Sequence, residues 1–237
     1  HLAWHPMRLL GGVLDIETLA AGKVSLTRLP ELPPAPESSG SGLPAMRAIL
    51  GNLSVDELAL GAPVLGTPVT LSITGNARLV DPAEGLALAF AVERRDSPGA
   101  VKGTARYVPG TEQLDIDVAA GEPAGGVVAR LIGLPGLPAV AASVKGSGTL
   151  DDWQGKLVLD AGDMLDLGGT AAIRAVEGGS RRVMLDLAGT VAGLAPENVR
   201  PALDGRSEMI GSAVIDPAGR IAIEGLNLKT AGVGLAL

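Results

Sequence analysis

The sequence predicts a mostly β protein, built as an antiparallel meander with one or two short helices. Residues 67–80 are the clearest segment, because Val69, Leu71 and Ile73 alternate there with polar side chains. A period of two is that of a half-buried strand, and at roughly 3.3 Å per residue this strand would be about 36 Å long. The 34 glycines and 17 prolines lie between short alternating segments rather than in one block, which is typical of a chain with many turns.

The same alternation recurs along the chain and gives the remaining strands in order. Predicted strands occupy residues 12–19, 23–29, 53–60, 67–80, 85–93, 99–108, 113–119, 139–150, 153–161, 165–175, 183–191, 207–215, 220–228 and 233–237. Short Pro/Gly turns at 81–85, 96–99 and 109–111 should make the strands that they join antiparallel. In residues 53–60 the apolar parity switches between Val55 and Leu58, which predicts a β-bulge.

Two kinds of segment interrupt the alternation. Residues 30–44 are rich in Pro, Ser and Gly and predict a loop that leaves the sheet. Residues 125–133 carry apolar side chains at helical spacing and predict a short helix that docks on the sheet, since Arg130 alone is too little charge for a membrane-surface helix. A second helix is predicted near 196–203. The expected organisation is residues 1–52 with the loop, a sheet segment at 53–135 ending in a helix, and a continuing sheet segment at 136–237.

Composition excludes several functional classes. The net charge of −7 and the pI near 4.9 give no basic surface for nucleic acid. The absence of cysteine removes disulfides and thiolate metal sites. No run of 18 apolar residues predicts a membrane-spanning helix. Only 2% of residues are aromatic, which favours thin, repetitive packing over a thick closed core. The start at His1, without an initiator Met or signal pattern, indicates an internal piece of a longer protein.

No residue set supports catalysis or metal binding, so we expect neither an enzyme nor a cofactor. His1 and His5 lack partners for a triad or a zinc site. The carboxylates of residues 160–166 have a spacing of three that fits a turn better than a calcium loop. Asp115 and Asp117 share the polar parity of a strand, where solvated carboxylates are expected. The Gly-rich segments lack the Lys-Ser/Thr of a phosphate loop.

Three stretches carry a family resemblance: LSVDELALGAPVLGTPVTLSITGNARLVDPAEGLALAFAVER, EPAGGVVARLIGLPGLPA, and LDDWQGKLVLDAGDMLDLGGTAAIRA. Together they resemble the TamB family, the large periplasmic subunits of the translocation and assembly module, which are akin to AsmA-like and bridge-like lipid transfer proteins. The resemblance implies an elongated, curved, U-shaped β-groove with an apolar interior. It also implies a periplasmic location in a Gram-negative bacterium, an anchor in the inner membrane, transport of phospholipids, and assembly of outer-membrane proteins with the barrel protein TamA.

The predicted site is therefore an apolar lining that contacts phospholipid acyl chains without chemistry. Its residues are Val69, Leu71, Ile73, Leu79, Leu86, Leu88, Phe90, Val92, Leu114, Ile116, Val118, Leu157, Leu159, Ile173, Leu185 and Leu187. Two alternatives stay open. One is a scaffold or chaperone that binds outer-membrane protein strands at a free sheet edge. The other is a closed structural β-domain whose apolar faces bury one another, and the exposure of these side chains separates it from a groove.

Overall fold

The computed structural model describes residues 1–28, 47–79, 85–131, 133–195, 198, 200–230 and 234–236. The chain divides into two compact units, His1–Gln113 and Leu114–Leu237. In each unit the strands lie side by side in chain order, and the sheet does not close on itself. The predicted mostly β, mostly antiparallel fold is therefore confirmed. The expected loop at 30–44 lies outside the described residues, as does all but Gly85 of the turn at 81–85.

Within the described part of the first unit, six strands are interrupted by two helices of four residues. The elements are β1 (Leu2–Trp4), α1 (Pro6–Leu9), β2 (Val13–Leu26), β3 (Arg47–Leu60), α2 (Ala62–Leu65), β4 (Val69–Leu79), β5 (Leu86–Arg94) and β6 (Ala100–Val108). The sequence analysis missed β1, α1 and α2. Both helices carry Pro in the first turn, and α2 ends at Gly66 with φ 77°, so the start and stop signals are present in segments too short to show a period.

Strand β2 corrects two expectations. It joins the strands predicted at 12–19 and 23–29 into one, because it pairs with β3 along most of its length. The pairing is parallel, with Leu14 opposite Ala48 and Leu26 opposite Leu60, whereas a wholly antiparallel meander was expected. Parallel neighbours need a crossover connection of about a dozen residues or more. The segment between Leu26 and Arg47 is long enough to provide one, unlike the short turns elsewhere.

The bulge predicted in β3 is confirmed. The register between β3 and β4 shifts between Val55 and Leu58, and it shifts a second time between Leu50 and Leu53. Each shift inserts residues into β3 that have no partner on β4, so the apolar residues on both sides of the bulge return to one face. The bulges therefore preserve the one-sided character of the sheet despite the switch of parity in the sequence.

In the second unit, neighbouring strands from β8 to β14 pair antiparallel. The elements are β7 (Gln113–Glu122), α3 (Val127–Leu131), β8 (Val140–Thr149), β9 (Asp152–Asp160), β10 (Asp166–Val176), β11 (Ser180–Thr190), α4 (Arg200–Leu203), β12 (Ser207–Ile215), β13 (Ile221–Lys229) and β14 (Gly234–Ala236), with 3₁₀ helices at Gly162–Met164, Glu177–Gly179 and Ala192–Leu194. α3 and α4 lie inside the two predicted helical segments. The described residues of both units together thus hold more helices than the one or two expected.

Helical segments gather at one end of the strands in the second unit, which we call the helical edge. It comprises the connections that follow β7, β9 and β11, and these contain α3, the 3₁₀ helix Gly162–Met164, and Ala192–Leu194 with α4. A small core forms there. Ala129 of α3 is fully buried and packs with the buried side chains of Leu134, Val140, Ala161, Leu165 and Leu167. The predicted docking of the first helix on the sheet is confirmed, although Ala129 was not among the residues chosen for it.

Candidate functional site

Strand register places the eight predicted lining residues of the first unit on one face. Directly opposed residues of paired strands share a face of a sheet, as do alternate residues within a strand. Ile73 lies opposite Val92, and Leu79 opposite Leu86. The other members, Val69, Leu71, Leu88 and Phe90, lie at even spacings from these four. We call this surface the first apolar face. It continues onto β3 through Val55, which lies opposite Ile73.

The first apolar face is not sealed by a second layer. Only Val69 and Leu79 are buried among its described apolar side chains, at 3% and 5% exposure. Leu88, in the middle of β5, is 37% exposed, and Trp4 on β1 is 41% exposed. The inner face of a closed sandwich interdigitates with a second sheet and is dry. The partial exposure found here is that of a face which water can reach.

The predicted residues of the second unit also share a face, which we call the second apolar face. Leu159 lies opposite Leu167, and Ile173 lies opposite Trp153 in the same pair of strands. The predicted residues that the register places there are Leu157, Leu159, Ile173, Leu185 and Leu187. Leu114, Ile116 and Val118 alternate along β7, and Val118 lines a pocket together with Leu157 and Leu159.

This pocket has a volume of about 240 Å³ and is almost wholly apolar. Its floor includes the small side chains of Ala120 and Ala142, which leave room between the larger side chains of Val118, Leu157 and Leu159. The pocket lies on strands β7, β8 and β9. Along β9 it is bordered by Ala161 of the helical-edge core on one side and by Trp153 on the other.

Trp153 forms a flat part of the second apolar face. Its indole is 5% exposed, and Nε1 donates a hydrogen bond to the Leu114 carbonyl oxygen at 3.0 Å. Gly146 and Gly155 make room for the ring, since a Cβ at either position would collide with it. The sequence analysis took Gly146 as an ordinary sheet glycine. Its real role is steric, and only the position of the Trp153 ring reveals it.

The opposite face of each unit is polar and carries ion pairs. Lys145 Nζ lies 2.6 Å from Asp117 Oδ2, and this hydrogen bond raises the pKa of Lys145. Arg182 forms a two-point pair with Glu224, at 2.7 and 3.0 Å, which lowers the pKa of Glu224 and raises that of Arg182. Exposed pairs of this kind contribute at most about 1 kcal/mol each. They identify the face that meets water.

The other candidate groups make no chemical site within the residues described. No cluster of three or more His, Asp or Glu side chains there could hold a metal ion. His5 Nε2 lies 3.7 Å from one carboxylate, that of Glu17. Asp160 and Asp166 lie opposite each other at the ends of β9 and β10, and Asp160 accepts a hydrogen bond from the Gly162 amide, as in a turn. Among the described helices, none has both the length and the apolar character to span a membrane.

The two apolar faces contain residues that the sequence analysis did not select. On the first face these include Leu50, Leu60 and Val101, each opposite an apolar partner. On the second face they include Leu167 and Met209. Leu167 could have been found, because it has the parity of Ile173 within the predicted strand 165–175. Leu50 could not, because residues 47–52 were left outside the predicted strand.

Comparison with protein-family models, with characterised proteins and with solved structures finds no match for this chain. The resemblance to the TamB family therefore stays a prediction. What the structure contributes is the geometry of two open apolar faces, each backed by a polar face.

Proposed function

We propose that this chain is a segment of a periplasmic TamB-like protein whose apolar faces form a groove that conducts phospholipids between the inner and outer membranes. The observation that carries the proposal is the partial exposure of the first apolar face in mid-sheet, at Leu88, where a closed domain would be dry. In the full-length protein the groove would be anchored in the inner membrane and would support outer-membrane protein assembly with TamA. No enzymatic step and no cofactor are part of this function.

The energetics favour an apolar ligand. Full burial of a Leu side chain is worth about 1.5–3 kcal/mol. At 37% exposure Leu88 forgoes about a third of that, on the order of 0.5–1 kcal/mol, which an acyl chain laid on the face would recover. The recovery is small at each residue but is repeated along β3, β4, β5 and β6. A tail held by many weak contacts of similar strength can slide from one to the next.

Photocrosslinking tests this proposal at adjacent positions on opposite faces. A photoreactive amino acid at Leu88 should capture phospholipid from bacterial membranes, whereas the same amino acid at Ala87 should not. Both side chains are exposed, so accessibility does not distinguish them. Equal capture at both positions, or capture at neither, would refute the groove. Ile73 and Thr74 on β4 provide a second matched pair.

A functional variant adds a second test. Leu88→Asp places a carboxylate on the first apolar face, and it should reduce the lipid bound to the purified protein severalfold, since a charge is costly to bury against an acyl chain. Thr74→Asp on the polar face is the control, and it should retain bound lipid. Quantified lipid extraction with a circular-dichroism check of folding measures both. Loss of lipid in both variants would remove the distinction between the faces.

A second candidate function is supported by β13. β14 pairs only with Asn227–Lys229, so the remaining edge of β13 has no strand partner among the described residues. Ile221 and Ile223 are 70% and 79% exposed there. An unpaired edge with exposed β-branched side chains can accept an added strand. Crosslinking from Ile223 to an outer-membrane protein, with none from Leu88 to lipid, would favour the scaffold over the groove.

A further inference from the structure

A cleft at the helical edge of the second unit has a different character from the apolar faces. It has a volume of about 590 Å³, and its charged residues are Asp163, Arg200 and Asp204. Its wall also contains Met164, which packs against the helical-edge core and hence against Leu167 of the second apolar face. The cleft is thus continuous with the end of that face.

The charges of this cleft are not neutralised by one another. In the described part of the chain neither Asp163 nor Arg200 takes part in an ion pair, although both line the same cleft. Asp204 accepts one hydrogen bond, from the neighbouring Gly205 amide at 3.0 Å. Two carboxylates and one guanidinium are therefore presented to the cleft at separations that leave each accessible to a ligand.

Ser207 supplies an independent observation between the cleft and the apolar face. It lies opposite Gly189, two residues before Met209, which lies opposite Leu187, so it shares the second apolar face with both. Its side chain is 1% exposed, and its hydroxyl oxygen has no hydrogen-bond partner among the described residues. A buried hydroxyl without a partner costs free energy, and a ligand acceptor would remove that cost.

We propose, building on the lipid groove above, that this end of the second unit binds the polar part of a zwitterionic glycerophospholipid with a phosphoethanolamine headgroup. The acyl chain lies on Leu187 and Met209, an ester oxygen accepts the Ser207 hydroxyl, and the headgroup occupies the cleft. Arg200 matches the phosphate, because a guanidinium donates two parallel hydrogen bonds to such oxygens.

The ratio of charges selects the headgroup. A primary ammonium has three N–H donors for the carboxylates of Asp163 and Asp204. A phosphocholine group has no N–H to donate, and it is usually held by aromatic cages, whereas none of the described lining residues of this cleft is aromatic. An anionic phosphoglycerol group would bring its net charge near two carboxylates. The expected order of affinity is phosphoethanolamine, then phosphocholine, then phosphoglycerol.

The test uses the whole chain and lysolipids with one tail and three headgroups, with an alkyl maltoside of the same tail as a nonionic reference, titrated by calorimetry below their micelle concentrations. Phosphoethanolamine should bind about threefold or more tightly than phosphoglycerol, the scale expected of exposed charge pairs. Asp163→Asn with Asp204→Asn should abolish this preference. Asp186→Asn, on the polar face of β11, is the matched control and should keep it.

Two further comparisons examine the remaining contacts. Arg200→Gln should weaken all three lysolipids and leave the maltoside unchanged. Ser207→Ala should reduce the affinity for an ester lipid relative to its ether analogue. Equal binding of all three headgroups and the maltoside would overturn the headgroup site and leave the groove intact. Equal effects of the cleft variant and the Asp186 control would do the same. Failure of every amphiphile to bind would instead overturn the groove, and the headgroup site with it.

Discussion

Replacement of Gly155 by alanine tests the flat part of the second apolar face. A Cβ at this position would lie 3.0 Å from Cζ3 of Trp153, closer still to Cη2, and 3.1 Å from the Lys145 carbonyl oxygen. These distances are shorter than ordinary carbon contacts, so the indole must move. We expect Gly155→Ala to lower the free energy of unfolding because the ring cannot shift without weakening its hydrogen bond to Leu114.

The magnitude follows from three terms. Overpacking of an ordered site costs about 1–3 kcal/mol. Weakening the indole hydrogen bond costs about 1 kcal/mol. The lower entropy of the unfolded chain returns about 0.4–1 kcal/mol. The expected net loss is about 1.5–3 kcal/mol, measured by urea denaturation with far-ultraviolet circular dichroism. Gly121→Ala is the control, since a Cβ there meets nothing within 4 Å, and it should change stability by less than about 0.5 kcal/mol.

A double-mutant cycle isolates the ring as the cause. Trp153→Phe shortens the side chain, so that Gly155→Ala in this background should cost less than half of its cost in the natural sequence. If Gly155→Ala costs the same in both backgrounds, or behaves like Gly121→Ala, the steric account of Gly155 is wrong.

Three other outcomes are expected. The Arg182 hydrogen bond lowers the pKa of Glu224, so the pair stabilises the fold above the ordinary pKa of a glutamate and this contribution is lost as the pH falls through the lowered value; Glu224→Gln should flatten the acid side of a urea-midpoint profile, and an unchanged profile would contradict it. Glu122 accepts a 2.7 Å hydrogen bond from the Val128 amide, and Glu122→Ala should cost about 1 kcal/mol and speed hydrogen exchange in α3, whereas unchanged exchange would show that the bond does not hold the helix. Ser207→Ala should raise the free energy of unfolding by about 1 kcal/mol in lipid-free protein, and a comparable loss would show that its hydroxyl is satisfied.

The sequence was sufficient where structure depends on neighbouring residues. Alternation of Val69, Leu71 and Ile73 identifies a strand and assigns its faces, and the switch of parity in residues 53–60 locates a real bulge. Short Pro/Gly turns give antiparallel pairs. These signals are local because side chains alternate between the two faces of a strand wherever it pairs.

The parts that could not be predicted depend on contacts between distant residues. The parallel pairing of β2 with β3 follows from a long connection that carries no periodic signal. The contact of α3 with the sheet is made chiefly by Ala129, whose small side chain gave no helical signal of its own. The steric role of Gly146 depends on a tryptophan from the next strand.

The sequence by itself determined that one face of these strands is apolar and the other polar. Only the tertiary structure decided that the apolar face is left partly open at Leu88, and that charged residues gather beyond the end of β12. The reason is physical: alternation along a strand specifies which side chains point the same way, but burial depends on what packs over them. That coverage is a property of the folded chain and is absent from any short stretch of its sequence.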